Sequence, residues 1–140
     1  MADLTGDDAA TRALLQNSKT IAVVGASNKP DRDSHMVFKI LQGAGYNVIP
    51  VNPAITEVAG VKAVPDLAAA REVVGTIDIV DVFRAADQVP GVVDDAIAVG
   101  AKSMWFQFGV VNPAANARAV EAGMDIVVDK CMKIELARLL

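Results

Sequence analysis

Short runs rich in Val and Ile alternate with Ala-rich segments of helical spacing along most of the chain, and this alternation limits the fold more than any other feature. Five runs have the length and composition of buried strands: 20–25, 47–51, 77–83, 102–107 and 125–128. Strands that alternate with helices through short connections form parallel sheets, because each crossover is right-handed. The sequence therefore predicts an α/β fold: a doubly wound, mostly parallel sheet of about five or six strands with helices on both faces.

Helix boundaries are predicted from capping residues and prolines. The predicted helices cover 8–17, 34–43, a short segment after residues 65–66, 87–99, 113–122 and the C-terminal tail. Asp33 or Ser34 is expected to cap the second of these helices, and Asp87 the one over 87–99. Asn112 is expected to cap the helix that Pro113 opens.

Length, charge and cysteine content exclude several classes of protein. The 140 residues fit one domain, 1–140, with 1–18 as an N-terminal helical extension. A net charge of −4 argues against a nucleic-acid partner, and no apolar stretch is long enough to span a membrane. The acidic N-terminus is unlike a signal peptide and the single cysteine fits a reducing compartment, so we expect a cytoplasmic protein. Self-association as a homo-oligomer stays open.

The predicted topology indicates where a ligand binds. The strand over 20–25 is expected beside the strand over 77–83, where the order of strands reverses, and ligands bind outside the strand ends at such a switch point. The candidates are the residues that follow each strand: 25–29, 52–53, 83–84, 107–109 and 129–131. In this set Gln107 offers an amide to a polar ligand group, and Gly109 lets a ligand pass close to the backbone.

The loop after the first strand departs from a standard dinucleotide site. The fingerprint of such sites has glycines where this chain has Gly25, Ser27 and Pro30. An acidic residue that binds the ribose hydroxyls normally ends the second strand, where this chain has Asn52. A neutral side chain there does not repel a phosphate on the ribose. The loop therefore favours an adenine nucleotide with an additional phosphate over an ordinary nicotinamide or flavin dinucleotide.

Three cations are candidates for binding phosphate. Lys29 and Arg32 lie in the first loop, within reach of the end of the second strand; the alternative is a solvated loop. Arg84 follows Phe83 at the end of the third strand, and a guanidinium beside an aromatic ring suits a phosphate or an adenine face. The alternative is that Phe83 packs in the core and Arg84 covers the edge of the sheet.

Catalytic groups are scarce in the sequence. Cys131 is flanked by lysines that would favour its thiolate, although a lone cysteine is more often a small buried apolar residue. His35 has no evident partner for a catalytic triad and is interpreted as a surface or capping residue. Asp78 and Asp81 fall on opposite faces of their strand, so they do not form an acid–base pair.

Six stretches agree in order and spacing with one family: IAVVGASNKPDRDS, GYNVIPVNP, GVKAVPDL, IDIVDVFR, AIAVGAKSMWFQFGVVN and DIVVDKCMKIE. Through these stretches, which cover most of residues 20–135, the chain resembles the small stand-alone CoA-binding domain proteins. That family is Rossmann-like and is related to the CoA-binding domain at the start of the succinyl-CoA synthetase alpha subunit. The resemblance implies that coenzyme A (CoA) or an acyl-CoA lies across the strand ends.

The resemblance also implies which residues contact each part of the ligand. The implied set is Gly25, Ala26, Ser27, Lys29, Arg32 and Ser34 at the phosphates, Val51, Asn52 and Pro53 at the adenosine, Phe83 and Arg84 along the ligand, and Gln107 and Gly109 at the pantetheine. Binding carries over from the family, but catalysis does not, because this chain lacks the partner domains and the phosphorylated histidine of the synthetases.

Three functions follow from these observations. The first is non-catalytic binding of CoA or an acyl-CoA, in a sensing or regulatory role. The second is an enzyme, either an NAD(P)-binding oxidoreductase or an acyl-CoA-using enzyme; the missing glycines and the absence of a nucleophile–base pair argue against it. The third is a redox-linked regulator in which Cys131 forms a mixed disulfide with the CoA thiol.

Overall fold

The computed structural model of the protein describes residues 2–140. Its strands are β1 (Thr20–Val24), β2 (Asn47–Val51), β3 (Glu57–Val58), β4 (Val61–Lys62), β5 (Ile79–Val82), β6 (Ser103–Phe106) and β7 (Asp125–Val128). Its helices are α1 (Asp8–Asn17), α2 (Asp33–Gly43), α3 (Leu67–Val74), α4 (Val89–Ala98), α5 (Pro113–Glu121) and α6 (Met132–Leu139), with a 3-10 turn at Ala86–Gln88.

The main sheet has five parallel strands in the order β2-β1-β5-β6-β7. The strand order reverses between β1 and β5, so the predicted doubly wound sheet and its switch point are confirmed. β3 and β4 form a separate antiparallel hairpin between β2 and α3. The carboxyl ends of β1 and β5 therefore meet at one rim of the sheet.

Helices cover both faces of the sheet. Alternate strand residues point to opposite sides, and the central strands are buried at every position, so each face packs against helices. One core contains buried residues of α3, α4 and α5, such as Leu67, Val93 and Ala119, together with Ala22 and Val24 of β1. The other core is built from α1, α2 and α6 around a fully buried Trp105. Among residues 2–140, none of the helices has the length and apolar character that a membrane crossing requires.

Both edges of the sheet are covered by other parts of the chain. Beside β7, the N–H of Leu4 donates to the carbonyl of Ile126, and the N–H of Ile126 donates to the carbonyl of Ala2. Beside β2, the N–H of Val64 donates to the carbonyl of Pro50. The outer hydrogen-bonding groups of both edge strands are thus partly satisfied within the chain.

Two predicted helix caps are wrong. Neither Asp33 nor Ser34 caps α2: both lie inside the helix, and the N-cap residue is an extended Arg32 whose side chain makes no capping hydrogen bond. Asp87 falls in the 3-10 turn, so α4 begins two residues later, with Gln88 as its N-cap. The predicted Asn112 cap is confirmed, since its side chain accepts from the N–H of Ala115.

Candidate ligand site at the strand ends

Gly25 directly follows β1 and lies against the backbone of Phe83, which directly follows β5. Its φ is +85°, and a Cβ atom there would lie 2.0 Å from the carbonyl oxygen of Phe83. The approach is fixed by the sheet, because the N–H of Phe83 donates to the carbonyl of Val24 at 2.8 Å. The fold itself therefore requires glycine at this position.

Two side chains hold the loop that follows Gly25. Asn52 donates from Nδ2 to the carbonyl of Ala26 at 2.9 Å, and its Oδ1 accepts from the N–H of Ala54. His35 Nδ1 lies 2.9 Å from the carbonyl oxygen of Ser27, so this nitrogen carries the proton. His35 is buried, and its interpretation as a surface or capping residue was wrong: its ring turns back from the first turn of α2 to fix the loop. The loop is therefore pre-organised.

Several backbone donors at this rim have no partner in the part of the chain that the structure describes. Among residues 2–140, the N–H groups of Ala26, Ser27 and Asn28 in the loop donate to no acceptor, nor do those of Asp33 and Ser34 in the first turn of α2. Unpaired amides at the start of a helix, together with the positive end of the helix dipole, form a site for an anion.

The loop borders an open surface cavity of about 440 Å³, which we call the loop cavity. It is lined by Gly25, Ala26, Ser27, Asn28, Lys29, Arg32, Asp33, Ser34, Asn52, Ile55 and Phe83. Lys29 and Arg32 form no ion pair with any carboxylate of residues 2–140, so their charges are available to a ligand. Asp33 adds one carboxylate to the same cavity.

A second cavity, of about 470 Å³, adjoins the first and shares Asp33 and Phe83 with it. This helix cavity lies between the N-terminal turns of α2 and α6, at the ends of β5 and β6. The remaining lining residues are Met36, Val37, Arg84, Ala85, Gln107, Phe108, Val110, Cys131, Lys133 and Ile134. Each cavity has the volume of a typical small-molecule site.

A fully buried carboxyl group anchors one wall of the helix cavity. Gln107 donates from Nε2 to Asp81 Oδ1 at 2.5 Å, whereas Asp81 Oδ2 has no partner among residues 2–140. Burial raises the pKa of the Asp81 carboxyl to about 7, and the hydrogen bond from Gln107 opposes this rise. The bond fixes the Gln107 amide and uses one of its two N–H donors.

The structure gathers most of the residues predicted for the site at the two cavities. Predicted residues that line the loop cavity are Gly25, Ala26, Ser27, Lys29, Arg32, Ser34, Asn52 and Phe83. Phe83, Arg84 and Gln107 line the helix cavity. Val51, Pro53 and Gly109 line neither: Val51 is buried in a core, and the N–H of Gly109 donates to Asp129 Oδ1. The individual roles in ligand binding stay predictions.

Sequence reasoning missed several residues of the site. Met36 and Ile134, in the first turns of α2 and α6, line the helix cavity and were not among the candidates. Phe108, which lies in the candidate range 107–109 but was assigned no role, lines it too. Only the place of Met36 in the first turn of a helix that begins at the strand ends could have indicated that it lines a cavity.

The described residues offer little for acid–base or metal chemistry. Cys131 lines the helix cavity, but no histidine or carboxylate side chain of residues 2–140 is hydrogen-bonded to its thiol. Within the same residues, no group of three His, Cys, Asp or Glu side chains is placed to hold a metal ion. The arrangement places cations and amides at the loop cavity beside the mainly apolar helix cavity.

Fold and site together define a doubly wound α/β protein with a loop of unpaired amides and two cations, among residues 2–140, at its switch point. Residues 19–137 match the family model described as the CoA binding domain, and the chain belongs to this family. It is 49% identical over 123 residues to the uncharacterized protein YneT of Bacillus subtilis, covering 88% of this chain and 89% of YneT.

Two archaeal proteins extend the comparison. A solved structure of a hypothetical protein from Pyrococcus horikoshii has a TM-score of 0.88 and 42% identity, covering 94% of this chain and 91% of that one. The alpha subunit of an ADP-forming acetate–CoA ligase from Pyrococcus furiosus is 42% identical over 64 residues, which are 45% of this chain but only 13% of that subunit. The family and the shared segment support a CoA-related role.

Proposed function

We propose that the protein binds coenzyme A across the strand ends without transforming it. In this proposal the adenosine and the phosphates occupy the loop cavity, and the pantetheine arm passes Phe83 into the helix cavity. A module that binds CoA without turnover acts as a sensor or buffer of the CoA pool, and we infer that it does so in the cytoplasm.

The observation that carries the proposal is the convergence of unpaired donors at the loop cavity. Among residues 2–140, the N–H groups of 26–28 and of 33–34 donate to no acceptor, and they lie at the same rim as Lys29 and Arg32, which form no ion pair. Charge-assisted hydrogen bonds to phosphate are about twice as strong as neutral ones. CoA carries a diphosphate and a ribose phosphate, so it can use the amides and both cations at once.

The absence of turnover is supported by what the cavities contain. Within residues 2–140, the thiol of Cys131 lacks a base, and the buried Asp81 is bonded to Gln107 rather than directed at a ligand group. The acetate–CoA ligase subunit shares only 13% of its length with this chain, so its reaction is not carried over.

Calorimetry with CoA, dephospho-CoA, NAD and NADP tests the proposal. CoA is expected to bind tighter than dephospho-CoA by about tenfold, because one charge-assisted contact to the ribose phosphate is worth about 1–3 kcal/mol. NAD, which lacks that phosphate, is expected to bind more weakly than CoA. No heat with millimolar CoA, or tighter binding of NADP, would refute the proposal.

The variant Lys29→Ala tests the phosphate contact itself. It is expected to weaken CoA by about 1–3 kcal/mol while leaving the melting temperature nearly unchanged, since Lys29 is exposed. Lys62→Ala removes an equally exposed lysine from β4, outside both cavities, and serves as the matched control. Equal losses in the two variants would mean that only the net charge matters.

A further inference from the structure

Three large apolar side chains are left exposed around one cavity. Phe108 is 62% exposed, Ile134 45% and Met36 38%, and all three line the helix cavity. They come from three separate elements: the loop after β6, the first turn of α6 and the first turn of α2. Apolar side chains that converge on one opening indicate a surface that a ligand or partner covers.

The inner wall of the same cavity is also mainly apolar. Val37, Phe83 and Val110 line it, and one of the two N–H groups of the Gln107 amide is bonded to Asp81. The charged residues on the lining are Arg84, which is half-buried, and Asp33 and Lys133, which are exposed. The long aliphatic side chain of Lys133 allows its charged group to stay in water.

The helix cavity continues from the loop cavity, and this continuity identifies its occupant. Phe83 and Asp33 form the shared border, so a ligand with its phosphates in the loop cavity extends toward Phe108, Ile134 and Met36. CoA ends in a thiol, and a thiol alone leaves the apolar rim formed by Phe108, Ile134 and Met36 in contact with water. A thioester adds a hydrocarbon chain at that end.

We propose that the helix cavity receives the hydrocarbon chain of a short- or medium-chain acyl-CoA, so that the protein binds this thioester more tightly than free CoA. The inference rests on the proposed CoA binding and adds the class of acyl group. A carboxylated acyl group, attracted by Arg84 and Lys133, is the alternative occupant that the test must separate.

Calorimetry across CoA, acetyl-, butyryl-, hexanoyl- and octanoyl-CoA tests the inference. Burying one methylene group is expected to raise affinity by up to about fourfold, so affinity should climb along the series until the cavity is full. Glutaryl-CoA, with a charged end, should bind more weakly than hexanoyl-CoA. If CoA binds but chain length has no effect, or glutaryl-CoA binds more tightly, the inference is wrong and the proposed function stands.

The variant Ile134→Ser tests the position of the chain. It should reduce the ratio of octanoyl-CoA to CoA affinity by several-fold, because it removes apolar surface at the opening. Ile97→Ser is the matched control: Ile97 is 39% exposed on α4 and lines neither cavity, so the ratio should hold. Equal ratios in both variants would overturn the inference.

Two further results separate the remaining outcomes. If no CoA species binds at all, the proposed function fails and the inference falls with it. If sedimentation shows a dimer that Ile134→Ser dissociates and acyl-CoA does not, a second copy of the chain covers the apolar rim and the acyl chain does not.

Discussion

Replacing Asp81 by Asn is predicted to remove a pH dependence of stability that the wild-type protein carries. Asp81 lies in the middle of the sheet, is fully buried and has one hydrogen-bond partner, Gln107. Burial raises the pKa of its carboxyl to about 7 from the usual value of 3.8. The folded state therefore holds a proton on Asp81 that the unfolded state releases between these two values.

The direction and the size of the pH effect on the free energy of unfolding follow from this difference in pKa. Below pH 3.8 the carboxyl is neutral in both states and costs little, whereas above about pH 7 it is charged in both states and its burial is fully unfavourable. A rise from 3.8 to about 7 corresponds to about 4 kcal/mol lost from the free energy of unfolding across this window. Asp81→Asn cannot ionise, so it should escape this loss.

The assay is urea unfolding of both proteins at intervals from about pH 4 to 8. The difference in unfolding free energy should shift in favour of Asp81→Asn by up to about 4 kcal/mol as the pH rises. An amide donor buried in place of Oδ2 costs about 1–3 kcal/mol at every pH and shifts the whole curve for Asp81→Asn by a constant amount. The test is therefore the change of the unfolding free energy with pH and not the constant difference between the two proteins. The control Asp87→Asn, at an exposed carboxylate, should run parallel to wild type. Parallel curves for Asp81→Asn as well would refute the reasoning.

Further predictions concern the loop after β1. Gly25→Ala should lower the free energy of unfolding by more than about 2 kcal/mol, because the added Cβ meets the Phe83 carbonyl and φ is positive. Gly109→Ala has the positive φ but open space, so urea unfolding should show a loss of only about 1 kcal/mol. Asn52→Ala removes the hydrogen bonds to Ala26 and Ala54. It should weaken the affinity for CoA by several-fold in calorimetry and lower the free energy of unfolding by about 1–2 kcal/mol. Unchanged affinity would show that the loop keeps its shape without these two bonds.

The fold could be predicted from the sequence because its determinants are local. Val- and Ile-rich runs separated by helical segments specify parallel strands, and right-handed crossovers then place β1 beside β5. Helix starts were less predictable. Arg32 precedes α2 without a side-chain cap, although Asp33 and Ser34 are good capping residues, because the cap depends on where the chain enters the helix.

The candidate site could be predicted where it consists of residues directly after strands, and not where it depends on pairs across the sheet. Asp81 and Gln107 are 26 residues apart, and they meet because Asp81 pairs in register with Trp105, two residues before Gln107. His35 reaches Ser27 only because α2 packs back over the loop. The exposure of Ile134 at the opening of the helix cavity could not be predicted, because exposed and buried isoleucines cannot be distinguished in a sequence.

The covered edges of the sheet have a consequence for assembly. Residues 2–4 pair with Ile126 along β7, and Val64 pairs with Pro50 along β2. Among residues 2–140, neither border offers a continuous row of free amides and carbonyls, which disfavours strand-to-strand stacking of one molecule onto the next. We therefore expect copies of this chain that associate to do so through helices and loops. Removal of residues 2–4 should expose the unpaired edge of β7 and promote aggregation.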